Sequence, residues 1–191
     1  MVRWEPGACD RLAQAALDLY AEQGFDATTA AQIAARAGLS ERTFFRHFDD
    51  KREVLFSRTG RFGAGFVDAI AAAPAEASPL EVVAAALAGA ASFFDHGRRA
   101  HSQRRDAVIS AHPALQEREL LKLAALARTV AVAMREHGIP DPAAELAAES
   151  CVSVFRISLE RWLRPGEDRD LAEIQVDVLA SLSILAGPRS A

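Results

Sequence analysis

Cysteine is nearly absent from this chain of 191 residues. The two that occur, Cys9 and Cys151, stand far apart and match no metal-binding or redox spacing. They read as small apolar fillers in a chain without disulfides, kept in a reducing compartment. No apolar signal region opens the sequence. Long apolar runs are missing too: residues 82–94 are too few to span a bilayer and are broken by Gly89 and Ser92. These absences predict a cytoplasmic protein with no membrane partner. Period-two alternation of Val, Ile and Thr is also missing, which leaves an all-α fold. Basic charge is in no excess, and a formal net charge of −4 argues against a nonspecific nucleic-acid binder.

Catalytic groupings are likewise lacking. There is no nucleophile–base pair, no metal-spaced cluster and no phosphate loop. His96 and His101 are five apart across Gly97 and do not share a helical face. The sequence therefore predicts no enzyme activity, no catalytic residues, no metal and no cofactor. What is present is 50% hydrophobic and 25% charged residues, a globular balance. The length suits one sizeable core or two small helical domains.

The densest information lies in residues 28–51, TTAAQIAARAGLSERTFFRHFDDK. Thr29 with Gln32 has the spacing of a capping box, which starts a short helix carrying Ile33, Ala34 and Ala37. Gly38 stands where that helix must stop and the backbone needs positive φ. Leu39 plugs the turn, and Ser40 caps a second helix. Phe44 and Phe48, four apart, suit the core, so Arg42, Thr43, Arg46 and His47 face elsewhere. A short helix with two arginines, a hydroxyl and a histidine, braced by another helix, is the plan of a helix-turn-helix DNA reader. Residues 1–60 hold eight basic against nine acidic side chains, so affinity must come from where charge is placed.

Residues 11–55 resemble the N-terminal domain of the TetR family of transcriptional regulators. The resemblance rests on Gly24, Phe25, Thr28, Thr29, Ile33, Ala34, Ala37, Gly38, Ser40, Thr43, Phe44, His47, Phe48 and Lys51. It implies contacts to double-stranded, palindromic DNA from Thr29, Ser40, Arg42, Thr43, Phe45, Arg46, His47 and Lys51, with Arg3 or Arg11 in support. Two features depart from the family pattern. Phe45 stands where a phosphate-touching tyrosine is usual, and it offers only apolar contact with a sugar or a thymine methyl. Ala30 and Ala31 stand where a basic residue is common. The resemblance implies a helix-turn-helix domain over 1–50 and a helical effector-binding and dimerisation domain over 51–191, with about nine helices in all.

Caps and periodicity divide the chain the same way. Helix 1 is expected over about 6–23. Asp50 with Glu53 reads as a capping box that starts helix 4, with Lys51 in its first turn beside helix amides suited to a phosphate. Gly60, Gly63 and Gly65 interrupt that helix, either for close packing or as a hinge. Ser78-Pro79-Leu80-Glu81 starts helix 5, which Gly97 ends. Later helices are expected over about 101–111, 113–137, 142–163 and 170–187.

Helices 8 and 9 are apolar over much of their circumference and so must meet two partners, one of them a second copy. Val154, Ser158, Leu171, Ile174, Val178 and Leu182 are the candidate dimer residues. Phe62, Phe66, Phe94, Arg105, Ile109, His112, Phe155 and Trp162 are candidates for the wall of a ligand pocket. Residues 105–162 also resemble the C-terminal domain of mycofactocin-type TetR regulators, through Arg105, Pro113, Leu115, Gln116, Arg118, Glu119, Arg156 and Trp162. That resemblance implies a small hydrophobic or acyl effector that releases a homodimeric repressor from its operator. A helical interaction module that has lost DNA binding is the alternative, on the strength of Phe45, Ala30 and Ala31.

Overall fold

The computed structural model describes residues 7–57, 59–94 and 96–186, and its regular elements there are all helical. Arg3, the first residues of helix 1 and the Gly187-Pro188 stop lie outside the described residues. Among the described residues nine α-helices follow in order: α1 (Ala8–Gln23), α2 (Ala30–Arg36), α3 (Glu41–His47), α4 (Thr59–Ala71), α5 (Pro79–Ala91), α6 (His96–Ser110), α7 (Pro113–Glu136), α8 (Ala143–Trp162) and α9 (Leu171–Ala186). A single 3-10 turn, Glu53–Phe56, lies between α3 and α4. No described helix is long and apolar enough to cross a membrane.

The helix ends follow local chemistry. Ser78 and Glu81 complete a reciprocal capping box around Pro79. The Ser78 hydroxyl and amide hold the Glu81 carboxyl below its ordinary value. α7 closes at Gly138, whose φ of 106° lets the Ile139 amide bond back to the Met134 carbonyl. Two boundaries differ from the sequence expectation. α5 stops at Ala91, where the Phe93 and Phe94 amides bond back to Ala90 and Ala91 and the Ser92 hydroxyl donates to Gly89 O. Gly97 instead lies in the first turn of α6. Asp50 caps the 3-10 turn rather than α4: its Oδ1 accepts from the Arg52 amide at 2.7 Å and the Glu53 amide at 3.2 Å.

The chain packs as two compact units. One comprises Met1–Thr59 with Ala100–Leu120, and the other Gly60–Arg99 with Leu121–Ala191. Packing thus does not follow a single cut after residue 50, because much of α6 and the start of α7 belong with the N-terminal helices. Ile109 and Leu115 bury against Phe56, worth roughly 1.5–3 kcal/mol for each side chain fully removed from water. Arg118 pairs with Glu53, Arg104 reaches Asp18 at 2.7 Å, and Arg105 donates to the Leu55 carbonyl at 3.0 Å. The main core of this unit gathers Leu12, Ala16, Tyr20, Ile33, Phe44 and Phe48.

In the second unit, α4 runs unbroken through Gly60, Gly63 and Gly65, so the glycines do not interrupt it. Gly65 serves close packing: a Cβ on it would lie 3.1 Å from the Gly89 carbonyl oxygen. One on Gly89 would overlap the Gly65 carbonyl and sit 2.6 Å from Ala69 Cβ. The α4–α5 crossing therefore needs both glycines. Gly89→Ala is expected to destabilise by about 1–3 kcal/mol through overpacking. Gly63→Ala meets only Leu126 Cδ1 at 3.6 Å and is expected to be neutral or stabilising, by up to about 1 kcal/mol of helix propensity. Thermal midpoints of the two variants check the contrast, and equal midpoints would remove the packing argument. Nearby, burial pushes the Cys151 thiol up to about 12, as suits an inert core residue.

Candidate nucleic-acid interface

The reader is built as its caps predict. Thr29 and Gln32 make both halves of the capping box, at 3.2 and 2.9 Å. Gly38 has φ 68°, and the amides of Gly38 and Leu39 bond back to Ala35 and Ala34 to close α2. Ser40 Oγ accepts from the Thr43 amide at 3.2 Å and lies 2.9 Å from Thr43 Oγ1. Phe44 is fully buried and Phe48 nearly so, which fixes the rotation of α3. Arg42, Phe45 and Arg46, at i, i+3 and i+4, consequently share an exposed face.

The electrostatics of that face come from placement. Arg36 is tied to Glu22 at 2.8 Å, Arg104 to Asp18, and Arg105 to Glu119 at 3.0 Å. Arg42 and Arg46 make no hydrogen bond or ion pair among the described residues. A nearly neutral unit thus keeps two uncommitted guanidiniums side by side on the outer face of α3. That is the geometry for binding phosphate oxygens or guanine edges.

Other expected contacts stand differently. Lys51 Nζ donates to the carbonyls of Phe25 at 2.7 Å, Thr28 at 2.9 Å and Asp26 at 3.4 Å, and it lies 4.2 Å from the Phe25 ring centroid. An ammonium has three donors, so Lys51 is a brace for the α1–α2 loop and has none spare for a phosphate. The Tyr20 hydroxyl donates to the Lys51 carbonyl at 2.5 Å, and burial with Asp50 nearby raises its pKa. The amides after Lys51 are occupied by Asp50. Burial works to raise that carboxyl, but hydrogen bonds from the Arg52 side chain and the Arg52 and Glu53 amides outweigh it and hold it below its ordinary value. His47 keeps Nε2 buried without a partner among the described residues. Thr29 and Ser40 stay exposed beside their caps, and Thr43 is half-buried. Arg11 already has a partner.

The pocket candidates fall into separate groups. Phe62, Phe66, Phe94, Phe155 and Trp162 pack on one another in the second unit, with ring centroids 4.8–5.8 Å apart and largely edge-to-face. Arg99 lies 4.9 Å from the Trp162 ring centroid and donates to the Trp162 carbonyl at 3.0 Å. Arg105, Ile109 and His112 belong to the first unit, where each is engaged. Arg105 pairs with Glu119, Ile109 is buried, and His112 Nε2 lies 3.0 Å from Asp26 Oδ1 with its ring 4.6 Å from Phe25. His112 also lines a half-open hollow of about 370 Å³ with Tyr20, Phe25 and Val108.

The dimer candidates lie on the covered face of α8 and α9. Val154, Ser158, Leu171, Ile174 and Val178 are buried within the chain itself, and Leu182 packs partly against the same core. The outward row holds small and apolar residues: exposed Leu146 and Ser153 with half-buried Ser150 and Ile157 on α8, and exposed Ala172, Val176, Ala180 and Ile184 on α9. Val176 is 67% and Ile184 80% exposed. Periodicity shows that both helices are apolar on two sides, and the outward repeat at three and four was readable. Only the packing says which side is already covered.

Residues 12–57 match the model of the bacterial regulatory proteins of the tetR family, and residues 77–185 that of the MftR C-terminal domain. A stretch of 78 residues, 41% of the chain, is 38% identical to the HTH-type transcriptional regulator TcmR of Streptomyces glaucescens, and it spans about a third (34%) of that protein's length. Thermus thermophilus FadR, a TetR-family repressor solved with lauroyl-CoA, is 25% identical, with TM-score 0.58 over 96% of this chain and 97% of that one. Bacillus subtilis FadR, solved with stearoyl-CoA, is 19% identical, with TM-score 0.60 over 91% and 96%, and shares the fold.

Proposed function

The chain belongs to the TetR family of bacterial DNA-binding transcriptional regulators, and on that premise we propose that it is a cytoplasmic homodimeric repressor, released from a palindromic operator by an acyl-bearing ligand. The unpaired Arg42 and Arg46 on the outer face of α3 carry the DNA half of this reading. Phe45 and the capped hydroxyls of Thr29, Ser40 and Thr43 lie around them as further contacts, with His47 at the margin. A module that had lost DNA binding would have no use for two uncommitted guanidiniums beside an exposed ring.

Twofold pairing through the outward stripes of α8 and α9 supplies the second reading helix, since one short helix is a weak ligand. On the effector side, the edge-to-face rings of Phe62, Phe66, Phe94, Phe155 and Trp162 form an apolar interior that an acyl chain enters by turning rings aside. Support comes from the acyl-CoA bound to the 25%-identical FadR of Thermus thermophilus. A ligand that favours the DNA-incompetent dimer a hundredfold supplies about 2.7 kcal/mol per site. Gel shifts with DNA flanking the chain's own gene, titrated with acyl-CoA esters of increasing length, test the proposal. A retained complex at every chain length would leave a DNA-binding regulator without an acyl effector, and no shift at all would favour the interaction module.

A further inference from the structure

We propose that Phe45 reads the 5-methyl group of a thymine in each operator half-site, in a base step flanked by the pairs that Arg42 and Arg46 contact. The inference rests on the DNA-binding reading proposed above, with α3 as the helix that lies in the major groove. Of the ten phenylalanines in the chain, Phe45 alone is exposed, at 53%. Leaving a phenyl ring in water forgoes the burial that stabilises the other nine, and its place between Arg42 and Arg46 on the outer face of α3 makes it available to whatever those guanidiniums contact. Its pose is limited by Phe44, whose buried ring it meets edge-on at 5.3 Å and 82°.

A phenyl ring neither donates nor accepts a hydrogen bond, so it cannot hold a phosphate oxygen or a polar base edge. The apolar group that the major groove does offer is the thymine methyl. Arg42 lies three residues before Phe45, about 4.5 Å along the helix axis, and Arg46 follows directly. A base step rises about 3.4 Å. The thymine should therefore lie within one or two steps of the positions at which Arg42 and Arg46 select a base.

The test begins by selecting sites for the full-length protein from randomised duplex DNA. Each thymine of the selected site is then replaced singly by deoxyuridine, which removes the methyl and leaves every hydrogen-bonding group. One position per half-site is expected to cost about fourfold in affinity, the worth of one buried methyl-sized group. In Phe45→Ala, binding is weaker and the thymine–uracil difference at that position disappears, while Phe45→Leu keeps part of it. Because the ring is exposed, both variants are expected to melt with the wild type, which shows that folding is not the cause. Deoxyuridine that is silent everywhere would overturn the proposal in favour of a sugar contact. A methyl effect that persists in Phe45→Ala would overturn it in favour of another reader, such as the Thr43 methyl. Failure to enrich any sequence would instead remove the DNA-binding reading beneath it.

Discussion

Arg42→Ala and Arg46→Ala should each weaken operator binding by roughly 10- to 100-fold, and the double variant should bind only at nonspecific strength. A guanidinium that holds a guanine edge bidentately contributes about 1–3 kcal/mol of discrimination, and a twofold site loses it twice. Folding should be untouched, because neither side chain has a partner to lose among the described residues. Lys51→Ala is expected to behave in the opposite way. It leaves three loop carbonyls without their donor and removes the cation over Phe25, so the thermal midpoint falls, while the salt dependence of DNA binding keeps its slope. Fluorescence anisotropy across a salt series, with melting curves for each variant, separates the cases. Wild-type affinity in both arginine variants would sink the assignment of α3. A Lys51→Ala protein of normal stability with a shallower slope would return that lysine to phosphate.

Val176→Glu should convert the protein to monomers at micromolar concentration and lower its affinity for a palindrome by at least about a hundredfold. Twofold symmetry places both copies of the new carboxylate in one apolar contact, where an unpaired charge costs several kcal/mol. Val176 is exposed in the protomer, so the monomer itself should stay folded. Val178→Glu makes the necessary contrast, since Val178 is buried in its own core and the same change there should unfold the chain. Sedimentation equilibrium and circular dichroism read the two outcomes. A Val176→Glu dimer of normal affinity would place the contact on a different face.

Local rules made the reader legible before any packing was known. A capping box is closed by residues three apart, the turn at Gly38 needs only a residue that tolerates positive φ, and Phe44 and Phe48 share a face by the helical repeat alone. Those constraints act within a dozen residues, so they determined α2, α3 and the outward placement of Arg42 and Arg46, while Thr43 and His47, expected beside them, are half-buried and Phe45 takes the place between. The role of Lys51 was not local. Its partners are carbonyls 23–26 residues earlier, and only the fold brings them within reach of its ammonium. The same holds for Gly65 of α4, whose meaning depends on how closely α5 crosses at Gly89. It holds again for α6, whose Ile109 gives no sign in sequence that it buries beside Phe56.

The sequence by itself determined that the chain is helical, where most helices begin and end, and which short helix offers its arginines outward. The tertiary structure alone decided which flank of α8 and α9 is core and which is exposed. It also decided that Lys51 braces a loop and that residues 100–120 pack with the reader. Caps and turns draw their energy from neighbours along the chain, whereas burial and the pairing of charges draw theirs from residues that sequence separates and only packing brings together.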